Sequence, residues 1–579
     1  MPHWDRLRGK LFGVAMPPNQ EISLMRTQTI ALAYCGMLVW LSGQPFAKSH
    51  AADGELKFEL RYQQPTNLSA SRFHRLHRPE SWQARQTALI ICDMWDAHHC
   101  VNAVRREVEL APRVNEFAVK LREQGATVIH APSSCMEAYA NTAARERAAA
   151  IPLSKSMPVD IGSWCDRIPG EEASAYPVDQ SDGGEDDDAI DHQLWAQSLE
   201  DRGLNPRAPW TKQISTIEID QELDYISDSG KEIWSILDTR AIQNVILVGV
   251  HTNMCVLGRP FGLRRLAAGG KNVVLARDLT DTMYNPQAWP YVSHFSGTDL
   301  IVDHIERFVC PTISSDQLLG GEPFRFSGDH RPRLVMLIAE SEYDTATSLT
   351  SFADRLLRDR YSVSYVLDSD TDRNQLIDTS AINSADALLV SARRRALPVA
   401  DLKIVQDFVA RGKPVIGIRT ASHAFALRNQ EPPVGHAVWP EFDARVFGGS
   451  YTNHHGNDLR ASVALAQNLP FPFDVSTTQR IKPAGSLYKT SPLAPGALPA
   501  LFGSVADAPP EPLAWVFIRP DGGRSFYTSL GHSGDFAQPA FEQLLLNGIH
   551  WACQLNADAT LESITQRSQQ YSASSGRQR

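Results

Sequence analysis

The pattern of apolar and polar residues divides the chain into two series of strands and helices. Continuous apolar runs predict buried strands, and segments with apolar residues on one face predict helices. An alternating segment at 56–62 predicts an edge or opening strand. In the first series the other predicted strands are 88–92, 127–131, 245–250 and 272–276, and the predicted helices are 111–124, 230–239 and a segment from Cys255 to about 268.

The second series begins after a break at about 310–332 that is rich in Pro, Gly and Ser. Its predicted strands are 333–339, 362–367, 387–391, 414–418 and 514–518, and its predicted helices are 345–359, 399–410 and 539–551. Strands that alternate with helices through short connections predict a parallel sheet covered on both faces. At 579 residues the chain is too long for a single core. We therefore expect an α/β protein with two Rossmann-like three-layer αβα domains and mostly parallel sheets.

The amino-terminal segment has the pattern of a secretory signal. Met25 and Arg26 precede an apolar run at 29–41, which is too short to span a bilayer, and small and polar residues follow it. We predict a signal peptide with an upstream extension over 1–52, a start at Met25 and an exported, periplasmic protein without a stable membrane span. A retained membrane anchor is the alternative. The predicted domains are 53–325 and 333–558, followed by a polar, disordered tail over 559–579.

A long irregular stretch covers about 132–210, and its centre is acidic and glycine-rich. Loops of this length inside a compact domain are usually functional or disordered. Clustered carboxylates supply hard oxygen ligands for calcium, although their spacing here does not match an EF-hand. The candidate calcium ligands are Asp179, Asp182, Asp186 and Asp188. A solvated acidic loop is the other interpretation.

Charge and cysteine content exclude several classes of function. The net charge is -10 and no basic stripe is present, which argues against a nucleic-acid partner. The cysteines that follow the predicted signal are scattered and contain no CxxC pair. Neither a zinc site nor a disulfide framework is therefore expected.

Cys255 lies where a reactive thiol is expected. The strand before it ends in a glycine and a turn, and a predicted helix follows, whose amino end favours thiolate over thiol. Asp93 ends another predicted strand. Because ligands bind beyond the carboxyl ends of parallel strands, we expect Asp93 and Cys255 to meet. A buried structural cysteine is the alternative.

Two stretches of the first half resemble the isochorismatase-like cysteine hydrolase family. They are Ala88-Leu-Ile-Ile-Cys-Asp-Met94 and Gly249-Val-His-Thr-Asn-Met-Cys-Val256, and the resemblance covers approximately 87–308. It implies a Cys, Asp, Lys triad that cleaves C–N bonds of amides without a cofactor. The implied triad is Cys255 as nucleophile, Asp93 as general base and Lys212 as the lysine, with Lys231 as its alternative; an exposed surface lysine is the other interpretation of Lys212. A thiolate that attacks an amide needs donors for the oxyanion, and the amides of the turn from Thr252 to Cys255 are the candidates. His98, His99 and His251 are candidates for the pocket, and the alternative for each is a structural histidine.

The chain also departs from this family. Trp95-Asp-Ala-His98 stands where the family often has Gln-Asn-Asp-Phe, and the region of 130–134 lacks the metal-binding Asp-x-His cluster of nicotinamide-hydrolysing members. Nicotinamidase activity is therefore not expected, and we predict no catalytic metal.

The second half, from about Arg333 to Cys553, resembles the trehalose-utilisation (ThuA-like) family, which has the fold of class I glutamine amidotransferases. The resemblance rests on Ala339-Glu-Ser-Glu-Tyr343, Gly412-Lys-Pro-Val-Ile-Gly417, Gly448-Gly449, His454-His455 and Gly531-His532. In the amidotransferases a nucleophilic Cys follows the strand that corresponds to 414–418. Here the turn is Arg419-Thr-Ala-Ser-His423, which excludes glutaminase chemistry. Arg419, His423, His454 and His532 are candidates for a sugar-binding or hydrolytic site, or for supports of loops and an interdomain contact.

The predicted function is hydrolysis of a small-molecule amide through a Cys thioester, with a carbohydrate-related role for the second domain. One alternative is a non-catalytic saccharide-binding protein with a vestigial triad. Another is a hydrolase whose catalysis lies in the second domain. Expected partners are a small amide and a carbohydrate, and assembly into a homo-oligomer is left open.

Overall fold

The computed structural model describes residues 54–67, 69–467 and 480–554. This part of the chain lies within one compact unit. The predicted signal peptide and the predicted tail from 559 lie outside the described residues. Within these ranges, none of the helices has the length and apolarity needed to cross a bilayer.

Two sheets of eight strands organise the chain. The strands of the first half are β1 (Glu55–Thr66), β2 (Ser69–Gln83), β3 (Thr87–Cys92), β4 (Thr127–Ala131), β5 (Tyr225–Ile226), β6 (Asn244–Val250), β7 (Asn272–Asp281) and β8 (Thr312–Ile313). Those of the second half are β9 (Arg333–Ala339), β10 (Ser362–Leu367), β11 (Ala387–Ala392), β12 (Leu397–Pro398), β13 (Val415–Ile418), β14 (His436–Ala437), β15 (Asn453–His454), β16 (Ser462–Leu465), β17 (Tyr488–Lys489), β18 (Ala497–Ser504), β19 (Glu511–Ile518) and β20 (Arg524–Thr528).

The first sheet has the order β2-β1-β8-β7-β6-β3-β4-β5, and the second has the order β10-β9-β11-β13-β20-β19-β18-β16. In the first sheet β1 is antiparallel to β2 and β8, and the other pairs are parallel. In the second sheet the pairs from β10 to β20 are parallel, and those from β20 to β16 are antiparallel. Both sheets are thus mostly parallel, as the alternation of strands and helices predicts.

Helices cover both faces of each sheet. They are α1 (Val101–Glu123), α2 (Ala143–Ala149), α3 (Ala189–Asp201), α4 (Gly230–Thr239), α5 (Leu263–Ala268), α6 (His294–Phe308), α7 (Asp316–Leu319), α8 (Thr345–Leu356), α9 (Val399–Ala410), α10 (Phe442–Phe447) and α11 (Pro539–Ala552). Alternate residues of β3 enter different cores: Leu89 and Ile91 pack with α1, while Ala88 and Ile90 pack with α4, α5 and α6. Side chains of a strand alternate between faces, so both faces of a central strand must be apolar. The predicted fold class, with two αβα domains, is confirmed.

Several elements differ from the prediction. Helix α1 begins at Val101 instead of at 111, and Pro112 lies inside it. Its early start depends on Asp187, whose carboxylate oxygens accept hydrogen bonds from the amides of Val101 and Asn102, both at 2.8 Å. Such a distant cap leaves no local signal in the sequence. Strand β2 and helix α6 have no counterpart among the predicted elements.

The hairpin of β1 and β2 belongs to the first sheet but also contacts the second half of the chain. The amide of Asn67 donates to Asp370 Oδ2 at 3.0 Å, and Arg72 Nη2 donates to Asp344 Oδ1 at 2.8 Å. His77 Nε2 lies 3.2 Å from Asp378 Oδ1. The hairpin therefore joins the two domains through polar contacts.

Candidate active site

The carboxyl ends of two neighbouring strands bring Asp93 and Cys255 together. Strands β3 and β6 are parallel, with Cys92 opposite Gly249. Asp93 is fully buried and has a left-handed backbone with φ of 50°, which is a costly conformation for a residue other than glycine. Its amide donates to Ala131 O at 3.1 Å, and its carboxylate Oδ1 accepts from the amide of Ser133 at 2.8 Å. Hydrogen bonds of both its backbone amide and its carboxylate thus fix the position of Asp93.

Cys255 lies in a π-helical turn, Thr252–Val256, that follows β6 directly. The peptide bond between Val250 and His251 is cis. The next helix, α5, begins only at Leu263, because Pro260 cannot donate within a continuous helix. Cys255 therefore does not sit at the amino end of an α-helix, where the sequence pattern placed it.

Gly249 makes the approach of the two strands possible. Its φ is 107°, and a Cβ atom there would lie 2.0 Å from Cys92 O. Such a contact is far below van der Waals distance, and the φ is accessible mainly to glycine. Any side chain at this position would separate the strands that carry Asp93 and Cys255.

The turn around the thiol is fixed by polar side chains. Thr252 Oγ1 bonds Thr280 Oγ1 at 2.7 Å and donates to Asp281 O at 2.9 Å. Asn253 exchanges two hydrogen bonds with the backbone of Met283, at 2.8 and 2.9 Å. The Thr252 side chain is thus used in packing the turn against the end of β7.

Arg259 supplies a cation to the site. Its Nε donates to Asp93 Oδ2 at 2.9 Å, and its backbone amide donates to Cys255 O at 3.0 Å. Its positive charge also acts on the thiol of Cys255. The prediction from sequence did not include this residue, although a basic residue immediately before Pro260 and one helical turn after the nucleophile was the available signal.

The resting thiol of Cys255 is protonated at neutral pH. Burial raises its pKa, the carboxylate of Asp93 raises it further, and Arg259 lowers it without reversing the shift. The side chain is nearly enclosed, since Cys255 is 8% exposed. The thiolate that a helix end would favour is therefore not the resting state, and the thiol needs a proton acceptor beside it.

Lys212 and Lys231, the two candidates for the triad lysine, are both exposed. The backbone of Lys212 pairs with Asp96: its carbonyl accepts from the amide of Asp96 at 2.9 Å, and its amide donates to Asp96 Oδ1 at 3.2 Å. The segment of Lys212 thus lies beside the chain that follows Asp93, but its side chain is directed to solvent, and Arg259 occupies the position next to the base.

Stacked indole and imidazole rings line the candidate site next to His251. Trp95 and Trp210 stack with centroids 4.7 Å apart, and His98 stacks on both at 6.1 and 6.0 Å. His98 also contacts His99 at 4.0 Å and His251 at 4.8 Å. Burial lowers the pKa of His98 well below its usual range and that of His251 to about 3. Both imidazoles are therefore neutral, and they line the site with uncharged rings that can still form hydrogen bonds.

Trp164 covers the site from the irregular stretch. Its ring lies 5.5 Å from the guanidinium of Arg259 and packs on Gly258, where a Cβ atom would lie 2.5 Å from the indole. Arg265 donates to Ser163 O and Trp164 O at 3.1 and 2.9 Å and so holds this loop. Trp164 is 41% exposed. Trp164 therefore lies between solvent and the side chains of Asp93, Cys255 and Arg259.

A buried acid supports the turn after Asp93. Glu107 of α1 is 3% exposed, and burial raises the pKa of its carboxyl well above the usual range, with Asp93 as the next cause. The amide of Trp95 donates to it. Glu107 is therefore protonated at neutral pH, and the nearby carboxylate of Asp93 favours this form.

The acidic loop is bound to the protein by its carboxylates. Asp186 lies 2.8 Å from Arg106 Nη1 and 3.2 Å from His294 Nδ1, and both of these residues also contact Asp281. Asp188 accepts from the amide of Ile190 at the start of α3, while Asp179 and Asp182 accept from nearby amides of their own loop. Each of the four predicted calcium ligands thus has a protein partner.

One group of side chains within the described residues has the spacing of metal ligands. Ligand atoms of Cys100, Asp186 and Asp187 all lie within 4.8 Å of one another. However, Asp186 is paired with Arg106, and both oxygens of Asp187 accept from the amino end of α1. Burial and Asp186 raise the pKa of the Cys100 thiol, which opposes its use as a thiolate ligand. These contacts favour a structural role for Cys100, Asp186 and Asp187 over metal binding.

In the second domain, Arg419 occupies the turn after β13 with a left-handed φ of 42°. Its guanidinium lies between two aromatic rings, 4.3 Å from Tyr343 and 4.8 Å from Tyr488, and Nη1 donates to Ser529 O at 2.9 Å. Cations over aromatic faces are attracted by the ring quadrupole. Tyr343 also contacts His532 at 5.3 Å.

His423 extends this cluster, whereas the side chain of His454 is exposed. The ring of His423 lies 4.7 Å from Tyr451, which in turn lies 4.6 Å from Tyr488. Burial and neighbouring arginines lower the pKa of His423 to about 3. His454 pairs with Tyr488 through β15 and β17, and its Nδ1 contacts His455 O at 2.7 Å. Three of the four predicted residues thus surround one group of aromatic rings.

Asp443 is a further candidate that sequence patterns did not reveal. Burial raises its pKa to about 6, and its Oδ2 accepts from the amide of Tyr451 at 3.2 Å. A carboxyl group that titrates near neutral pH beside a cluster of polar rings is typical of functional sites.

Comparison with known proteins gives one family match and several distant structural likenesses. No curated protein matches the chain. Solved structures that resemble it include a ThuA-like protein from Bacteroides uniformis (15% identity, 40% of this chain, 95% of that chain, TM-score 0.29). A cysteine hydrolase from Pseudomonas syringae pv. phaseolicola is similar at 14% identity over 41% of this chain and 92% of that chain, with a TM-score of 0.25. An isochorismatase family protein from Burkholderia thailandensis is similar at 12% identity over 40% of this chain and 94% of that chain, with a TM-score of 0.22. Residues 335–552 match the model of the trehalose-utilisation family, ThuA, and so contain a ThuA domain.

Proposed function

We propose that the first domain is a cysteine hydrolase that cleaves a C–N bond of a small amide. The observation that carries this proposal is the convergence of a thiol, a carboxylate and a guanidinium at the carboxyl ends of β3 and β6. Asp93 has no access to solvent and is paired with Arg259, while Cys255 lies close enough for Asp93 to act on its pKa. A nucleophile, a base and a third group that orients the base form the minimum set for covalent catalysis.

The chemistry follows from the protonated resting thiol. As the sulfur of Cys255 attacks the amide carbon, its proton passes to Asp93, a C–S bond forms and the carbonyl oxygen becomes an oxyanion. The oxyanion collapses, the C–N bond breaks, and the amine leaves with the proton from Asp93. Water then attacks the thioester and releases the acid and the thiol.

We assign the cationic role in this reaction to Arg259 instead of Lys212. Arg259 contacts the base and lies four residues after the nucleophile in the chain, whereas Lys212 is exposed. The oxyanion would be held by amides of the turn at 252–255. The amides of Met254 and Val256 already donate to His251 O at 3.0 and 3.1 Å, so the donors would be other amides of this turn.

The test is ammonia release from a panel of small primary amides and ureido compounds. Cys310→Ala is a matched control for Cys255→Ala, because each thiol is 8% exposed and burial raises the pKa of each. We expect release by the wild type and Cys310→Ala and none above background by Cys255→Ala. Release that persists in Cys255→Ala would contradict the proposal and direct attention to the second domain.

For the second domain we propose saccharide binding at the cluster of Arg419, Tyr343, Tyr451 and Tyr488. Tyrosine rings offer an apolar face and a polar tip, which suits the mixed surface of a sugar. The trehalose-utilisation family match makes trehalose the first ligand to titrate. In calorimetry, Tyr488→Ala should abolish binding, and Tyr62→Ala, on β1 of the first domain, should not. Equal affinities in these two variants would contradict a site at this cluster.

A further inference from the structure

A cavity lined by arginines lies between the two sheets. It has a volume of about 280 Å³ and adjoins a second space of about 340 Å³, and both are lined by Arg61, Arg277 and Arg333. Arg61 and Arg277 come from β1 and β7 of the first sheet, and Arg333 is the first residue of β9 in the second. The cavity thus meets the second sheet at the amino ends of β9 and β10, opposite to the edge that carries Arg419.

Four of the acids around this cavity are each paired with a cation, whereas Asp278, which lines the second space, accepts hydrogen bonds from Ser315 and from the amide of Phe324. Paired carboxylates and cations cancel one another and leave little net charge for a ligand. The pairs are Glu306 with Arg61 at 2.6 Å, Asp303 with Arg75 at 3.6 Å, Asp378 with His77 at 3.2 Å and Asp299 with Arg331 at 2.9 Å.

Two guanidinium groups of the lining have no such partner. Among residues 54–67, 69–467 and 480–554, the guanidinium of neither Arg277 nor Arg333 has a carboxylate oxygen within 4.0 Å, although the backbone amide of Arg333 donates to Asp386 Oδ2 at 2.9 Å. Within the described residues, the guanidinium of Arg277 donates to the hydroxyls of Thr312 at 3.4 Å and Ser314 at 2.9 Å. Arg333 Nη1 reaches a backbone carbonyl, Ser384 O, at 3.5 Å. The cavity therefore contains two guanidinium groups that form no direct ion pair with a described residue.

The surroundings of Arg277 increase the cost of its charge. Burial lowers its pKa to about 9, and the positive charge of Arg61 acts in the same direction, against the opposing effects of Glu306 and Asp278. A buried charge without a partner is unfavourable, and binding of an anion would remove this cost. In addition, Arg75 Nε is buried and has no hydrogen-bond partner among the described residues.

We propose that this cavity binds a small dianion, a phosphate ester or a dicarboxylate, with Arg277 and Arg333 as its charge partners. The planar guanidinium matches the spacing of phosphate and carboxylate oxygens and binds them through two parallel hydrogen bonds. Ser362, Ser380 and Ser384 add polar groups to the lining. The volume exceeds that of a bare oxyanion, so the ligand carries an organic part. This site is independent of the chemistry at Cys255.

The test is isothermal titration calorimetry of the full mature chain in a chloride buffer of constant ionic strength. Inorganic phosphate and malonate are the two probes, and they distinguish a phosphate-type ligand from a dicarboxylate. We expect one saturable site per chain for at least one probe. Arg277→Gln and Arg333→Gln should each weaken binding at least about tenfold, because a hydrogen bond to a charged group contributes about 1.5–3 kcal/mol. Arg240→Gln, which changes an exposed arginine of the first domain, should leave the affinity unchanged.

Thermal unfolding separates loss of a ligand site from loss of the fold. Without added anion, Arg277→Gln should unfold at the same temperature as the wild type or higher, since it removes a charge that has no direct ion-pair partner. With the bound probe, the wild type should gain stability and the variant should not. The proposal is overturned if the wild type binds neither probe saturably, or if Arg240→Gln weakens binding as much as the two cavity variants. If Arg277→Gln does not fold, the affinity of Arg333→Gln decides between these outcomes.

Discussion

Arg259 Nε lies 2.9 Å from Asp93 Oδ2, so the cation beside the base comes from the turn that carries the nucleophile. The side chain of Asp93 has no exposure to solvent, and that of Arg259 is 23% exposed. One strand end and one turn therefore fix the positions of all three reacting or orienting groups. This arrangement makes the site sensitive to a change at Arg259.

Replacement of Arg259 should reduce both stability and turnover. Arg259→Gln leaves the buried Asp93 without its cation, which we expect to cost on the order of 3 kcal/mol in the free energy of unfolding. Arg259→Lys should recover part of this loss. Arg265→Gln is the control, because Arg265 is half-buried and its guanidinium donates to the backbone carbonyls of Ser163 and Trp164, not to a buried carboxylate. Urea unfolding gives the stabilities, and equal losses for Arg259→Gln and Arg265→Gln would contradict the proposed pairing.

Asp93→Asn should change thiol reactivity and turnover in opposite directions. The carboxylate raises the pKa of Cys255, so its removal lowers that pKa and increases the fraction of thiolate at a given pH. Alkylation of Cys255 by iodoacetamide should become faster in the variant. Turnover should fall by about 10²–10⁴-fold, since the general base is lost. Mass spectrometry of the Cys255 peptide measures the alkylation. Slower alkylation in Asp93→Asn would show that the carboxylate does not suppress the thiolate.

His294 should make the first domain less stable at alkaline pH. Asp281 and Asp186 raise its pKa to about 9 against the opposing effect of burial. Because the folded-state pKa exceeds the unfolded value of about 6.5, its contribution is complete below pH 6.5 and is lost as the pH rises through 9. The loss amounts to about 3 kcal/mol. In urea unfolding at pH 6 and pH 9.5, His294→Gln should show this pH dependence reduced, and an unchanged slope would exclude His294 as its source.

Glu107→Gln should stabilise the protein at neutral pH. The pKa of Glu107 is raised in the folded state, so its favourable contribution is present below about pH 4.5 and is lost as the pH rises toward the folded-state value. Glutamine resembles the protonated acid and has no ionised form in the unfolded chain. The variant should gain up to about 3 kcal/mol at pH 7 and little at pH 4. Equal stability of the two proteins at pH 7 would show that Glu107 is ionised in the folded state.

The regular elements were predictable wherever a local pattern determined them. The strands 127–131 and 333–339 and the helices 230–239 and 399–410 have the predicted bounds. They are continuous apolar runs or amphipathic segments with local stop signals, so neighbouring residues suffice to define them. Helix α1 was predicted too short because its cap, Asp187, lies far along the chain. Strand β2 (SASRFHRLHRPESWQ) is polar because it forms an edge of its sheet and contacts the second domain.

The candidate site was predictable in its topology but not in its electrostatics. The proximity of Asp93 and Cys255 follows from the rule that the carboxyl ends of parallel strands lie at the same edge of a sheet. The raised pKa of the thiol depends on its burial depth and on how closely the Asp93 carboxylate approaches it, neither of which the sequence pattern reveals. Arg259 and Trp164 reach the site through three-dimensional contacts of loops. The carboxylates of the acidic loop could not be distinguished from solvated ones without their partners Arg106 and His294.

The hairpin of β1 and β2 has a consequence for the order in which the chain is made. Arg72 and Asp344 are 272 residues apart, and Asn67 and Asp370 are 303 residues apart. At ribosomal speeds of about 5–20 residues per second, the hairpin is synthesised on the order of 15 to 60 s before its partners in the second half. During this interval β2 presents an open sheet edge, which is prone to pairing with other chains. Charged side chains on a sheet edge disfavour such pairing, so we expect the Arg residues of β2 to limit aggregation of the nascent protein until the second domain contacts the hairpin.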